Sequence, residues 1–135
     1  MTLQLSTTVR NAILDAMETA MGTGVIIKIR TGAQPATCAT ADSGTVLATI
    51  TAPSDWQSAA SGGVKDMLGV FEDISADAAG TAAHYRVYDS GGSTCHEQGS
   101  VTITGSGGDM TLDNTNIAVG QDITITSFSK TAPNP

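Results

Sequence analysis

A mainly β fold is what this sequence predicts: an antiparallel β-sandwich (jelly-roll-like) or a barrel, with one N-terminal amphipathic α-helix. Three observations carry that expectation. One stretch alone, Ser6 to Gly22, has helical periodicity. After Gly24, seven or eight short segments alternate apolar and polar residues with the period of a half-buried strand. Clusters of Gly, Ser, Asp and Pro punctuate those segments as turns.

In the helical stretch, STTVRNAILDAMETAMG, the apolar residues Val9, Ala12, Ile13, Ala16, Met17, Ala20 and Met21 recur as one stripe facing a core. Ser6 or Thr7 suits the N-cap and Gly22 the C-terminal end. Val9, Ile13 and Met17 are the expected packing residues, and Arg10, Asp15, Glu18 and Thr19 are expected in water. The helix therefore needs an apolar partner, and only strands follow it. Met1 to Leu5 form an arm ahead of the cap, and Leu3 and Leu5 are candidate interface residues.

Val25 to Thr31 is the first strand, with Val25, Ile27 and Ile29 on one face and Ile26, Lys28 and Arg30 on the other. Residues 31–44 read as a surface loop, and Thr45 to Thr51 as the second strand, ended by Pro53. The turn after it presents Trp56, a core anchor or an interface residue. SAASGG (58–63) reads as flexible, and Met67 to Ile74 as a third strand weakened by Gly69. Thr81 to Asp89 follows, with Ala83, Tyr85 and Val87 opposite His84, Arg86 and Tyr88. SGGS turns it into a hairpin with Thr94 to Gln98 and Ser100 to Thr104, Gly99 marking a bulge. Short strands at Asp109 to Leu112 and Asn116 to Val119 lead to Asp122 to Lys130, where Ile123 and Ile125 oppose Thr124, Thr126 and Phe128. The chain is thus one domain over 1–135, with an arm (1–5), the helix (6–22), the β-sandwich (25–130) and a fraying tail (131–135).

Aromatic residues are 4% of the chain and charged residues 14%, against about 25% charged in a typical domain. A core of small side chains gains less from burial, so help from neighbouring subunits is expected. The net charge is −7, and the six cations, Arg10, Lys28, Arg30, Lys65, Arg86 and Lys130, form no cluster. Nucleic acid is not an expected partner, because phosphate binding needs concentrated positive charge. No apolar run approaches the roughly 20 residues of a membrane span, and no signal peptide opens the chain.

Chemistry finds little support. No GxSxG or comparable motif presents a serine nucleophile beside a histidine. His84 is expected on a solvated strand face. His96 beside Cys95 lacks a second C/H pair for zinc. Asp109, Asp113 and Asn114 offer oxygen ligands, but not at EF-hand spacing. No paired acids can be placed across a sugar cleft, and no glycine group has the Lys and helix of a phosphate loop. No catalytic residue, cofactor or metal is therefore expected. Cys38 and Cys95 both lie in loop-like contexts, and two readings stand: free thiols, or a disulfide joining distant loops.

Four segments together carry a resemblance: LQLSTTVRNAILDAMETAMGTGVIIKIRTG, AQPATCATADSGTVLATITAPSDW, AAGTAAHYRVYDSGGSTCHEQG and GGDMTLDNTNIAVGQDITITSF. Over nearly the whole chain they resemble a family of small proteins encoded among the structural genes of tailed bacteriophages and prophages. The resemblance implies a non-enzymatic virion component made in the bacterial host cytoplasm. Its first form is a capsid decoration or cement protein, a homo-oligomer bound to the major capsid protein or other virion proteins. The runner-up is a tail or fibre-associated component touching the host surface, and a third class, an enzyme on cell-wall sugars, is disfavoured by the missing motifs.

Overall fold

The caps read from the sequence bound the helix. In the computed structural model, which describes residues 2–135, α1 runs Thr7–Met21. Ser6 is the N-cap, its hydroxyl accepting from the Val9 N–H at 3.2 Å. Gly22, at φ 85°, closes the C-terminus by donating its N–H to Glu18 O at 3.0 Å. Of the arm, Met1 lies outside the described residues; the Leu5 N–H donates to Asn134 O at 2.8 Å.

Ten strands follow: β1 (Ile26–Arg30), β2 (Val46–Thr51), β3 (Val64–Asp66), β4 (Glu72–Asp73), β5 (Gly80–Thr81), β6 (His84–Tyr88), β7 (Cys95–Ile103), β8 (Met110–Leu112), β9 (Asn116–Ile117) and β10 (Ile123–Thr131). The main sheet has the order β2-β1-β6-β7-β8-β10-β3, with β4 also on β10, and β5 and β9 form a separate pair. All pairings are antiparallel except β7 with β8. The chain is mainly β with one helix, as its sequence predicts, and the sheet curls into a half-barrel. Its far edges approach each other: the Thr49 N–H reaches Asp73 Oδ2 at 2.9 Å, and the Asp77 N–H reaches Leu47 O at 2.8 Å.

Inside the curl the alternation is obeyed except in β2, where the register shift opposite Ile29 and Arg30 buries Leu47 as well as Ala48 and Ile50. Val25, Ile27, Ile29, Leu47, Ile50, Tyr85, Val87, Ile123 and Ile125 are buried with Trp56, Phe71, Met110 and Leu112. Each large side chain removed from water contributes about 1.5–3 kcal/mol. Phe128, expected opposite Ile125, is buried beside it, because a register shift between Ile125 and Ser127 reverses the alternation. Its ring meets Tyr85 edge-on, with centroids 5.1 Å apart. Trp56 is a core residue, its indole N–H donating to Gly22 O at 3.1 Å.

The helix docks by one edge of the stripe its sequence predicts: Met21 lies in the core and Met17 packs against it, while Val9 and Ile13 turn outward. Val9 is 45% and Ile13 38% exposed, Met17 is half-buried, and the buried positions are Arg10, Leu14 and Met21. Polar partners turn it. Lys65 on β3 pairs with Asp15 at 2.7 Å and Glu18 at 2.8 Å, and Arg10 Nη2 donates to Ala132 O at 2.8 Å. Asn11 Oδ1 accepts the Gly63 N–H at 2.8 Å. Burial disfavours the Lys65 ammonium, but hydrogen bonds from it to both carboxylates outweigh that and raise its pKa. Arg10 and Glu18, expected in water, thus anchor the helix.

Four further expectations are corrected. The third strand is displaced: Val64–Asp66 pairs with β10, while Met67 to Ile74 keeps only the two-residue β4. The supposedly flexible 58–63 turns tightly into β3, with Ser61 and Val64 exchanging backbone bonds of 2.9 and 3.0 Å. Gly99 makes no bulge; β7 passes straight through it, and the irregularity lies opposite Val87 and Tyr88. A Cβ on Gly99 would sit 2.7 Å from the Tyr85 ring, so the glycine is there for close approach. Nor is the tail loose: β10 extends to Thr131, and buried Ala132 donates its N–H to Gly63 O at 2.9 Å.

Candidate interaction surface

Three features outside the apolar core are places where this molecule can meet others or change state. The first is the outward stripe of α1. Val9 and Ile13 project from it, Ala12, Ala16 and Ala20 are exposed with them, and Leu3 in the arm is 68% exposed. Leu5 is half-buried by its bond to the C-terminal segment. Of the expected interface residues, Leu3 is at the surface, Leu5 partly so, and Trp56 is not.

The second is a groove of about 330 Å³ beside that stripe. Ile13, Leu14 and Met17 form one wall, Ser129 to Pro133 the other, and Tyr85, Glu97, Gln98 and Asp109 complete the lining. It opens where the β7–β8 ladder, which begins at Val101, leaves the earlier part of β7 with a neighbour only on its β6 side. Glu97 and Lys130 form an ion pair there at 2.8 Å, a charge contact without hydrogen-bond alignment, and both side chains are largely buried. Lys130 Nζ also lies 4.7 Å from the Trp56 ring centroid and 5.0 Å from that of Phe128. Tyr85 donates its hydroxyl to Glu97 Oε2 at 2.7 Å; burial first, then the Glu97 charge, push its pKa far up, so it stays a neutral donor.

The third is a polar cluster on the opposite face of β1, β6 and β7. Register explains it: Arg30 faces His84, Lys28 faces Arg86, and Gln98 faces Arg86 from the other side. Alternation placed His84, Arg86 and Tyr88 on an outer, solvated face. All three are buried, His84 at 1% exposure, because residues 31–45 fold back over them. Arg86 ties that loop down. Its Nη1 pairs with Asp42, its Nη2 reaches Thr37 O at 2.9 Å and the carbonyls of Cys38 and Thr40 at 3.1 Å, and its Nε reaches Gln98 Oε1 at 3.1 Å. Asp42 also accepts from Tyr88 Oη at 2.7 Å and Arg30 Nη2 at 3.0 Å. Partial burial raises the Asp42 pKa, but the Tyr88 and Arg86 hydrogen bonds and the two guanidiniums hold it below the ordinary carboxylate value. His84 Nδ1 donates to Gly32 O at 2.9 Å, leaving Nε2 without a partner. Desolvation dominates and, with Arg30 and Arg86 beside it, lowers the His84 pKa despite that bond and the Asp42 charge.

The loop brings Cys38 against Cys95. Their Sγ atoms are 3.0 Å apart, both as thiols, above a recess of about 280 Å³ lined by Asp42, Arg86, Tyr88 and Ser93. A bulge does this: the shift after Val87 pairs Cys95, and not His96, with Tyr88 and so turns it to the loop-covered face. His96 is exposed. Asp109 is engaged by Ser100, whose N–H and hydroxyl both donate to Oδ2 at 2.9 Å. Among the described residues no three His, Cys, Asp or Glu are gathered as a metal would need, and no helix is long and apolar enough to cross a membrane. No protein-family model, no curated protein and no solved structure matches the chain.

Proposed function

We propose that this protein is a non-enzymatic structural component of a tailed-bacteriophage virion, in the form of a capsid decoration protein that binds and stabilises the head lattice as a homo-oligomer. The observation that carries an assembly role is the N-terminal half of the apolar stripe of α1, Val9 and Ile13, which α1 does not bury on its own sheet. Val9, Ile13 and Leu3 are exposed, while Leu14 and Met21, with the ion pairs and hydrogen bonds of Arg10, Asp15 and Glu18, dock the helix. Large apolar side chains left at the surface in this way favour a protein partner. The low charge content and the resemblance of the four quoted segments to virion proteins supply the rest of the reading.

The test is a particle stoichiometry. Quantitative mass spectrometry of purified virions should find the chain in numbers that scale with the capsomers of the head. A copy number matching a single tail or fibre would replace the decoration reading with a tail component binding the host surface, and absence from virions would end both. Ile13→Asp should leave the isolated domain folded and remove it from particles.

A further inference from the structure

We infer that Cys38 and Cys95 are a redox latch: a small-molecule disulfide oxidises them to an intramolecular disulfide that clamps residues 31–45 over the Arg86–Asp42 cluster. The two residues are 57 apart in sequence and come from a loop and a strand, yet their Sγ atoms stand 3.0 Å apart. Joining them requires an approach of about 1 Å, since a disulfide is about 2.05 Å long. Both partners are already held for it. The Cys38 carbonyl is bonded by Arg86 Nη2, and Cys95 is registered opposite Tyr88 by the β6–β7 ladder. The recess above them is lined by exposed Thr40 and Ser93, which gives a small oxidant its approach.

The sulfurs are not equivalent. The single thiol hydrogen of Cys95 points to Cys38 Sγ at 3.0 Å, with Glu97 O also within its reach at 3.3 Å. Burial, then the hydrogen bond and charge of Cys38, push its pKa up to about 12. Cys38, the sulfur that accepts the Cys95 hydrogen bond, attacks first. Its Sγ loses a proton to water and attacks one sulfur of the reagent RSSR, whose S–S bond breaks. One RS⁻ leaves and takes a proton, and Cys38 becomes the mixed disulfide. The charge of Cys38 no longer opposes ionisation of Cys95. Cys95 then gives up its proton, attacks Cys38 Sγ and expels the second RS⁻, which is protonated in turn. Two thiols are oxidised by two electrons, and one RSSR becomes two RSH.

The inference does not depend on the virion reading and is tested on the purified full chain. The protein is equilibrated in glutathione buffers of graded thiol–disulfide ratio, quenched with an alkylating reagent and weighed intact. The expected oxidised product has lost two hydrogens, takes no alkyl group and carries no glutathione; the reduced protein takes two. Under the same buffers Cys95→Ser should accumulate one glutathione on Cys38, whereas Cys38→Ser should accumulate much less. In limited proteolysis, cleavage within residues 31–45 should slow on oxidation of the wild type and stay unchanged in Cys95→Ser. Two alkylatable thiols in the most oxidising buffer, or a persistent glutathione adduct on the wild type, would overturn the latch. Equal adduct formation in the two serine variants would overturn the order of attack.

Discussion

Replacing Leu14 by alanine, beside Val9→Ala and Ile13→Ala, measures which side of α1 holds the domain together. Leu14 is 1% exposed. Its truncation removes three carbons from a packed site, about 2.4 kcal/mol at ~0.8 kcal/mol each. The remaining cavity adds to that, and because Leu14 also lines the groove, water can enter and the addition is small. A loss of about 3 kcal/mol is expected, in the lower half of the range for buried Leu→Ala. Unfolding entropy for 135 residues is about 0.28 kcal/mol/K, so the melting temperature should fall by roughly 10 °C. Val9→Ala and Ile13→Ala remove exposed groups and gain helix propensity, and should stay within about 0.5 kcal/mol of wild type. Urea unfolding followed by circular dichroism, with unchanged m-values, reads all three. If Ile13→Ala costs as much as Leu14→Ala, the helix docks through its apolar stripe and the ion-paired arrangement is wrong.

Glu97→Ala leaves the Lys130 ammonium in a largely buried site without its carboxylate, and should cost about 3–5 kcal/mol by denaturant titration. Gly99→Ala drives a Cβ to 2.7 Å from the Tyr85 ring and 2.9 Å from Asp109 Oδ2; a thermal melt should show a loss of about 1–3 kcal/mol. His84 has a folded pKa below its ordinary 6.5, so below that pH the unfolded chain takes up a proton that the native state refuses. Its contribution is therefore complete above pH 6.5 and is lost on acidification, with a slope of up to about 1.4 kcal/mol per pH unit. In His84→Gln that slope should vanish between pH 6.5 and the acid limb. The acid limb itself belongs in part to Asp42, whose lowered pKa stabilises the fold above the ordinary 3.8 and ceases to do so as pH falls through the folded value. Asp42→Asn should flatten it.

Local rules decided a large part of this protein. Ser6 and Gly22 bound the helix because capping depends on a few neighbouring backbone groups. Val25, Ile27 and Ile29 face the core because a strand alternates, and SGGS closes the β6–β7 hairpin because glycine and serine suit turns. A mainly β chain with one helix was readable on those grounds. The facing of α1 was not, since Lys65 and the Ala132 carbonyl, which turn Arg10 and Glu18 inward, lie far away in sequence. Nor was the burial of His84 and Arg86. Alternation says which face a residue takes, and only the path of residues 31–45 says whether that face meets water. The cysteines show the same division. Their loop-like surroundings left thiols and a disulfide both open, and the tertiary fold decided that the two sulfurs meet, through a bulge opposite Val87 and Tyr88 and a loop held by one arginine. Periodicity and capping are short-range and stand in the sequence; long-range pairing of charges and loops depends on where the folded backbone brings them.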